Sequence, residues 1–339
     1  MSVRQPVAII TVLGQNVHCT EATANLSRDA KTDTLQVKAS LSAGPDADFW
    51  STANKMEITC TIIDGAGGSA QVFDGEVDSV SCDFGSGTVE ISARDKSAKM
   101  LNKKSGFKHN NKKPHEIVQY YAGQSGLSVD ADQISDKAGK TFQIDYDKLI
   151  HRMSDWHAVQ HVAEEHGMIA YATNGKLYFK KIPESLPSYS VYFVPPINGV
   201  AQSNVKSLTA KRNVQLGKTI KTHVHSWNHK GQAKYEGLAT ESGGGDTLDY
   251  HIHHPQLTQS QANSRAKAHS DKAMRHELDV SVEIPGDISV TPRMNLLLSG
   301  TNSAWDQLHD ISTVTHKVSV DGGFTTSIST KAKSKKRGR

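Results

Sequence analysis

Along the first hundred residues apolar and polar side chains alternate with a period of two. Leu35, Val37, Ala39 and Leu41 are spaced by Gln36, Lys38 and Ser40. Met56, Ile58, Cys60 and Ile62 are spaced by Glu57, Thr59 and Thr61, and Val89, Ile91 and Ala93 repeat the pattern. Successive side chains of a strand point to opposite faces, so each run predicts a strand with one buried and one wet face. Glycine-rich stretches at 64–68 and 83–87 separate the runs and predict turns. This is the pattern of an antiparallel sandwich or small barrel.

The middle of the chain changes period. Pro114-His115-Glu116 opens a predicted helix with Ile117, Val118 and Tyr121 on one face, closed by Gly123 and Gly126. Ser154 suits the N-cap of a second helix whose apolar stripe is Trp156, Val159, Val162 and Ala163, and Gly167 suits its C′ position. Asn174-Gly175 between 169–173 and 176–180 predicts a tight hairpin. Pro183, Pro187, Pro195 and Pro196 read as a linker-like crossing, with strands resuming near Val205. Thr258 and Gln261 fit a capping box that opens a third helix, running to about His276. Val280, Val282 and Ile284 then alternate again, and 314–320 pairs with 324–328 across Asp321-Gly322-Gly323. Residues 77–93 and 314–330 echo each other: a Val/Ser-rich strand, a Gly turn, then a strand ending in Ile-Ser. Two barrels of one kind, one from each end of the chain, would leave such an echo.

Length and charge narrow the reading. A chain of 339 residues predicts two or three domains, each able to bury its own core. Of 39 Lys and Arg, six lie in the last nine residues; the remaining 33 stand against 35 Asp and Glu, so the body is near −2 and its net charge does not mark a nucleic-acid binder. Cys19, Cys60 and Cys82 are few and far apart, as free thiols in a reducing compartment are. The apolar run 7–13 is too short to span a bilayer and follows no signal peptide, so synthesis and folding in the cytoplasm, without stable membrane insertion, are expected.

Candidate chemistry is sparse. Gly65, Gly67 and Ala70 spell G-x-G-x-x-A after a strand, but Gln71-Val72-Phe73-Asp74-Gly75 predicts another strand where a dinucleotide site needs a helix. Gly243-Gly244-Gly245 lacks the Gly-Lys-Ser/Thr of a phosphate loop. His223 and His225 share a strand face, and His251, His253 and His254 cluster nearby. The set His223, His225, His251 and His253 is an alternative zinc or iron site, against the plainer reading of solvated or packed histidines: there is no HExxH, and the nearest acids, Asp246 and Asp249, fall in a predicted loop. No nucleophile elbow or other catalytic constellation is present, and no cofactor is predicted. Lys331, Lys333, Lys335, Lys336, Arg337 and Arg339 form a basic end, either a polyanion contact or a disordered solubilising tail.

Pro114-His115-Glu116-Ile117-Val118, Gly126-Leu127, Ser154-Asp155-Trp156, His166-Gly167 and Asn174-Gly175-Lys176-Leu177 occur in an order that resembles the late control protein D family, the baseplate hub of contractile phage tails, to which the Mu-like tail hub is similar. Ala93-Arg94-Asp95-Lys96-Ser97, Ile284-Pro285-Gly286, Leu298-Ser299-Gly300 and Asp321-Gly322-Gly323-Phe324-Thr325 extend the resemblance over roughly residues 5–330. The His- and Gly-rich stretch 220–257 and the basic tail depart from it.

The resemblance implies a mainly β fold with α+β insertions: two tube-type antiparallel β-barrels plus a middle α/β domain. The boundaries expected are 1–105 for the first barrel, 106–182 for the middle domain, 183–330 for the second barrel with a helical insertion near 258–276, and 331–339 for the tail. It also implies a non-enzymatic homotrimer, assembled in the host bacterial cytoplasm and resident in the virion tail baseplate. Three chains with two barrels each would match a hexameric tail tube on one side and a trimeric spike on the other. The implied partners are the tail tube protein, a separate spike or central puncturing protein, and baseplate wedge and tape-measure proteins, with DNA passing through the channel unread. The rival readings are a metal-dependent hydrolase using the 223–254 histidines, acting on cell-wall material, and a monomeric carbohydrate- or protein-binding β module.

Overall fold

The computed structural model describes residues 5–28, 32–105, 112–134, 153–173, 175–181, 183, 185–197, 199–214, 219–228, 232–241, 246–254, 257–274 and 278–332. The alternating N-terminal runs form β1 (Val7–Val12), β2 (Gln15–Val17), β3 (Cys19–Ser27), β4 (Thr34–Ser40), β5 (Glu57–Ile63), β6 (Ser69–Asp83) and β7 (Thr88–Asp95), hydrogen-bonded in the order β3-β4-β7-β6-β5-β1-β2 and antiparallel throughout. Only His18 separates β2 from β3, so one stretch of chain pairs with β1 at its start and with β4 beyond, which closes a barrel. Closure puts the apolar half of each alternation inside. Ile10, Val12, Leu35, Val37, Ile58, Ile62, Phe73, Val89 and Ile91 share one core. Short α1 (Ala47–Thr52) adds Trp50 to this core; Asp46 caps the helix at Phe49 N, and the Trp50 indole donates to Pro45 O. Asp64 Oδ1 accepts from Ala66 N and Gly68 N, so the G-x-G-x-x-A stretch is the β5–β6 turn and no helix follows it.

Next come α2 (Ala98–Asn102), α3 (Pro114–Gln124), β8 (Ser128–Ala131), α4 (Asp155–Glu165), β9 (Met168–Thr173) and β10 (Lys176–Lys181). The strands form a small sheet, β8-β10-β9, with β8 parallel to β10. The predicted stripes of both helices are buried against it: Ile117, Val118, Trp156, Val159 and Val162 meet Leu177 and Phe179. Ser154 accepts from His157 N, and Gly167 (φ 64°) takes the left-handed conformation that ends α4. Met100 of α2 packs into this core, so the middle unit begins before residue 106.

The proline-bearing crossing is not a linker. It contains β11 (Ser188–Ile197), whose residues 188–192 pair with a later strand and whose hairpin partner is β12 (Val200–Ser203). Pro195 and Pro196 fall where the β11–β12 register breaks, between Val194 and Ile197, so their missing N–H groups interrupt no regular ladder. β13 (Ser207–Arg212) follows, and 213–277 leaves the sheet before the chain returns. That excursion is larger than the helix foreseen at 258–276. It holds β14 (Thr219–Asn228), β15 (Ala233–Glu241), β16 (Thr247–His253) and α5 (Gln259–Met274), with strand order β15-β14-β16. Both arms of the capping box exist: Thr258 N donates to Gln261 Oε1, and Gln261 N to Thr258 Oγ1. α5 covers one sheet face through Ala262 and Ala266 on Val224, a cluster separate from the other cores. A Cβ at Gly237 would collide with the backbone of Ala262, so this close approach requires glycine.

The last strands are β17 (Leu278–Pro285), β18 (Asn295–Ser299), β19 (Leu308–Ser319) and β20 (Gly323–Ala332). β13 pairs with β17 in hairpin register (Arg212 opposite Leu278), which is why the excursion is an insertion. The order β13-β17-β20-β19-β18 repeats β3-β4-β7-β6-β5 strand for strand. Both repeats carry a bulge at the same place, between Val77 and Ser79 and between Ile311 and Thr313. The echo at 77–93 and 314–330 is therefore one hairpin occurring twice. The sixth strand differs: β1 is antiparallel to β5, whereas β11 is parallel to β18. Val280, Val282, Ile284, Leu296, Leu298, Ile311, Val314 and Ile328 form the second repeat's core. Among the described residues no helix is long and apolar enough to cross a membrane.

Replacing Gly237 with Val is expected to loosen β14–β16 and α5 by about 1–3 kcal/mol. Amide exchange should quicken within residues 219–274 while the β1–β7 barrel keeps its protection.

Candidate assembly surface

The two repeats are joined edge to edge. β19 of the second lies antiparallel to β3 of the first, with Thr313 opposite Ser27, His316 opposite Ala24 and Ser319 opposite Glu21, making one continuous 14-stranded sheet. Side chains reinforce the ladder. Thr315 Oγ1 donates to Asn25 Oδ1 at 2.8 Å, Lys317 pairs with Glu21 at 2.8 Å, and Arg28 reaches Asp310 at 3.3 Å. The inward side chains of this seam are sealed: Val314, His316, Ala22 and Ala24 are at most 2% exposed.

His316 is the chemically unusual member. Its Nε2–H donates to Val290 O at 3.2 Å, leaving Nδ1 to accept from Thr326 Oγ1 at 3.1 Å. Burial holds the imidazole neutral and pushes its pKa down to about 4. Beside the seam's end, Asp33 Oδ1 accepts from Ser27 N, and Asp95 Oδ2 accepts from Asp33 N, both at 2.7 Å. Asp95 Oδ1 also accepts from Ser97 N, so the Arg94-Asp95 step fixes both its own turn and the β3–β4 connection. Burial raises Asp33 to about 7, with Asp95 nearby adding to the rise. None of His316, Asn25, Asp33 or Asp95 stands out as a site residue in the sequence. Their roles come from strands far apart in the chain, and the hairpin echo is the one signal that could have located His316.

The histidines foreseen as an alternative metal set are brought together. His223 and His225 of β14 lie opposite His251 and His253 of parallel β16, on the sheet face away from α5. His225 Nε2 is 3.2 Å from His251 Nδ1, a hydrogen bond between nearly parallel rings, and His223 Nδ1 is 3.1 Å from Glu236 Oε1. That bond to His223 lowers the Glu236 pKa. Among the described residues no group of three or more His, Cys, Asp or Glu is placed to hold a metal. The ring nitrogens face each other and a carboxylate rather than a common centre.

Lys331 does not open a free tail: it lies in β20 opposite Asp310, and Ala332 ends the strand. Lys333, Lys335, Lys336, Arg337 and Arg339 lie outside the described residues, as does Gly243-Gly244-Gly245. Cys19, Cys60 and Cys82 are free thiols, and burial drives Cys60 up to about 12, which keeps it protonated and unreactive.

No family model matches this chain, and no curated protein matches it in sequence. Solved structures do match in fold. The tail protein from Neisseria meningitidis MC58 superposes with a TM-score of 0.71 at 12% identity, over 97% of each chain. The 43 kDa tail protein of prophage MuSo2 from Shewanella oneidensis gives 0.70 at 16% identity, over 95% of this chain and 97% of that one. The E. coli c3393 protein, a type VI secretion component described as structurally similar to the T4 tail proteins gp27 and gp5, gives 0.59 at 9% identity, over 97% of this chain and 77% of that one. The mainly β fold with its α/β parts is thus a fold shared with these tail proteins.

Folded His316 binds protons more weakly than unfolded histidine, so the stability it contributes is complete above about pH 6.5 and is lost as pH falls toward about 4. Asp33 acts oppositely, losing stability as pH rises from about 4 toward about 7. Comparing His316→Gln with the wild type leaves the Asp33 contribution common to both. Between about pH 7.5 and about pH 5 the wild type should lose about 2 kcal/mol more than the variant, measured by urea unfolding.

Proposed function

We propose that this chain is the hub of a contractile phage or phage-like tail baseplate, working as a homotrimer without catalytic chemistry. The observation that carries this reading is the repeated five-strand order within one chain, its halves already joined side by side. Three such chains present six similar β units, which suits a hexameric tail tube on one face. The parts that are not duplicated, the middle α/β unit and the 213–277 insertion, occur three times and suit a trimeric spike on the other. The fold shared with two tail proteins, one of them from a prophage, and with a type VI secretion component supports the same role.

DNA would pass through the ring without sequence-specific contact. A body near −2 gives no general attraction for phosphates that would hold the DNA in transit. The partners in this role are the tube protein, a spike or central puncturing protein, and wedge and tape-measure proteins, with assembly in the bacterial cytoplasm. No cofactor is required, and the 223–253 histidines are surface groups of the insertion. The basic residues 333–339 are a solubilising end in this reading.

Sedimentation equilibrium of the full-length protein tests the reading. A three-chain particle that forms a closed ring in negative-stain images is expected. A single-chain species at every concentration would overturn it.

A further inference from the structure

Each repeat has two strands able to join a neighbour, and only one of each kind is used within the chain. The seam consumes the outer edge of β19 and the outer edge of β3. Their counterparts are residues 78–83 of β6, beyond its ladder with β5, and β13, which among the described strands pairs only with β17. An open strand edge is a template for pairing with another chain.

The geometry points to these two edges pairing between neighbouring copies of this chain, β6 of one against β13 of the next, in the register of the internal seam. This rests on the hub reading and names the contact that closes its ring. The shared bulge aligns the repeats: Ser79 matches Thr313, Val80 matches Val314, Cys82 matches His316, and Ile91 matches Ile328. Through β4 and β17, Val37 matches Val282, so Ala22 matches Leu208 and Ala24 matches Ala210. Transferring the His316–Ala24 pairing then places Cys82 opposite Ala210 of the neighbour, Ser81 opposite Lys211, and Asp83 opposite Thr209.

Burial supports the transfer. Val314, His316 and Ala24 are sealed in the seam, whereas their counterparts Val80 and Cys82 are only partly buried and Ala210 is exposed. The same positions are therefore covered where the edge is occupied and uncovered where it is open. Phe84, 76% exposed, sits at the tip of the open hairpin. Charge is compatible as well: Lys211 would lie diagonally from Asp83, within reach of a long side chain across a ladder.

The test uses the native thiol. Ala210→Cys in the full-length chain, oxidised with copper phenanthroline, should give chain-to-chain disulfides that run as dimers and trimers on a non-reducing gel and stop at trimer. Adding Cys82→Ser should abolish them, and peptide mapping should join positions 82 and 210. A three-chain particle without this Cys82-dependent link would overturn the edge assignment while leaving the hub reading intact. A single-chain particle would overturn both. Should Ala210→Cys fail to fold, Ser81→Cys with Lys211→Cys probes the neighbouring pair, with the same bands expected and their absence from a three-chain particle equally decisive.

Discussion

The β3–β19 ladder is the constraint on which this molecule depends. Without it the chain would be two small β units on a string, each with unpaired edges and free to turn against the other. With it, the two repeats share one sheet, their relative rotation is set by strand geometry, and a Thr315–Asn25 hydrogen bond and the Lys317–Glu21 ion pair cross the joint in register. A one-residue slip would turn His316 and Val314 out to solvent and bring Lys317 inward, so the register is specified strongly. Because the joint is made of backbone hydrogen bonds, it demands little of the side chains. That suits a fold preserved at 12–16% identity with the two tail proteins.

The remaining parts hang from this frame without disturbing it. The middle unit has its own core around Trp156 and Phe179, and the 213–277 insertion has a small one around Val224. The insertion leaves and re-enters through β13 and β17, which would otherwise be joined by a tight turn, so it costs the frame little beyond loop closure. This arrangement leaves the added parts free to change without disturbing the repeated sheet. The histidine-rich face belongs to the insertion, in the stretch 220–257 that departs from the sequence resemblance.

Much of the fold was legible in the sequence because it is local. Strands of period two, the Ser154 and Thr258 caps, Gly167 and Gly175 of the β9–β10 hairpin are each properties of a few adjacent residues, while Asn174 lies outside the described residues. The proline-rich stretch misled because Pro195 and Pro196 usually break strands; here they fall where the β11–β12 register is already broken. The basic end was divided one strand-end too early, since Lys331 is polar yet completes a ladder opposite Asp310. The site was less legible. Asp33, Asp95 and His316 are ordinary polar residues in sequence, and it is chiefly burial in the folded chain, with Asp95 beside Asp33, that moves their proton affinities.

By itself the sequence determined the alternating N-terminal strands and the capped helices, which side of each faces a core, and that one hairpin occurs twice; it missed β11 and placed Asp249 of β16 in a loop. What it did determine follows from side-chain periodicity and turn chemistry, which act over a few residues. Only the tertiary structure decided that the halves share a sheet, that 213–277 is an insertion, and which strand edges are occupied and which stay open. Strand pairing between residues some three hundred positions apart leaves no periodic trace, because any alternating strand can hydrogen-bond to any other until closure and burial choose between them.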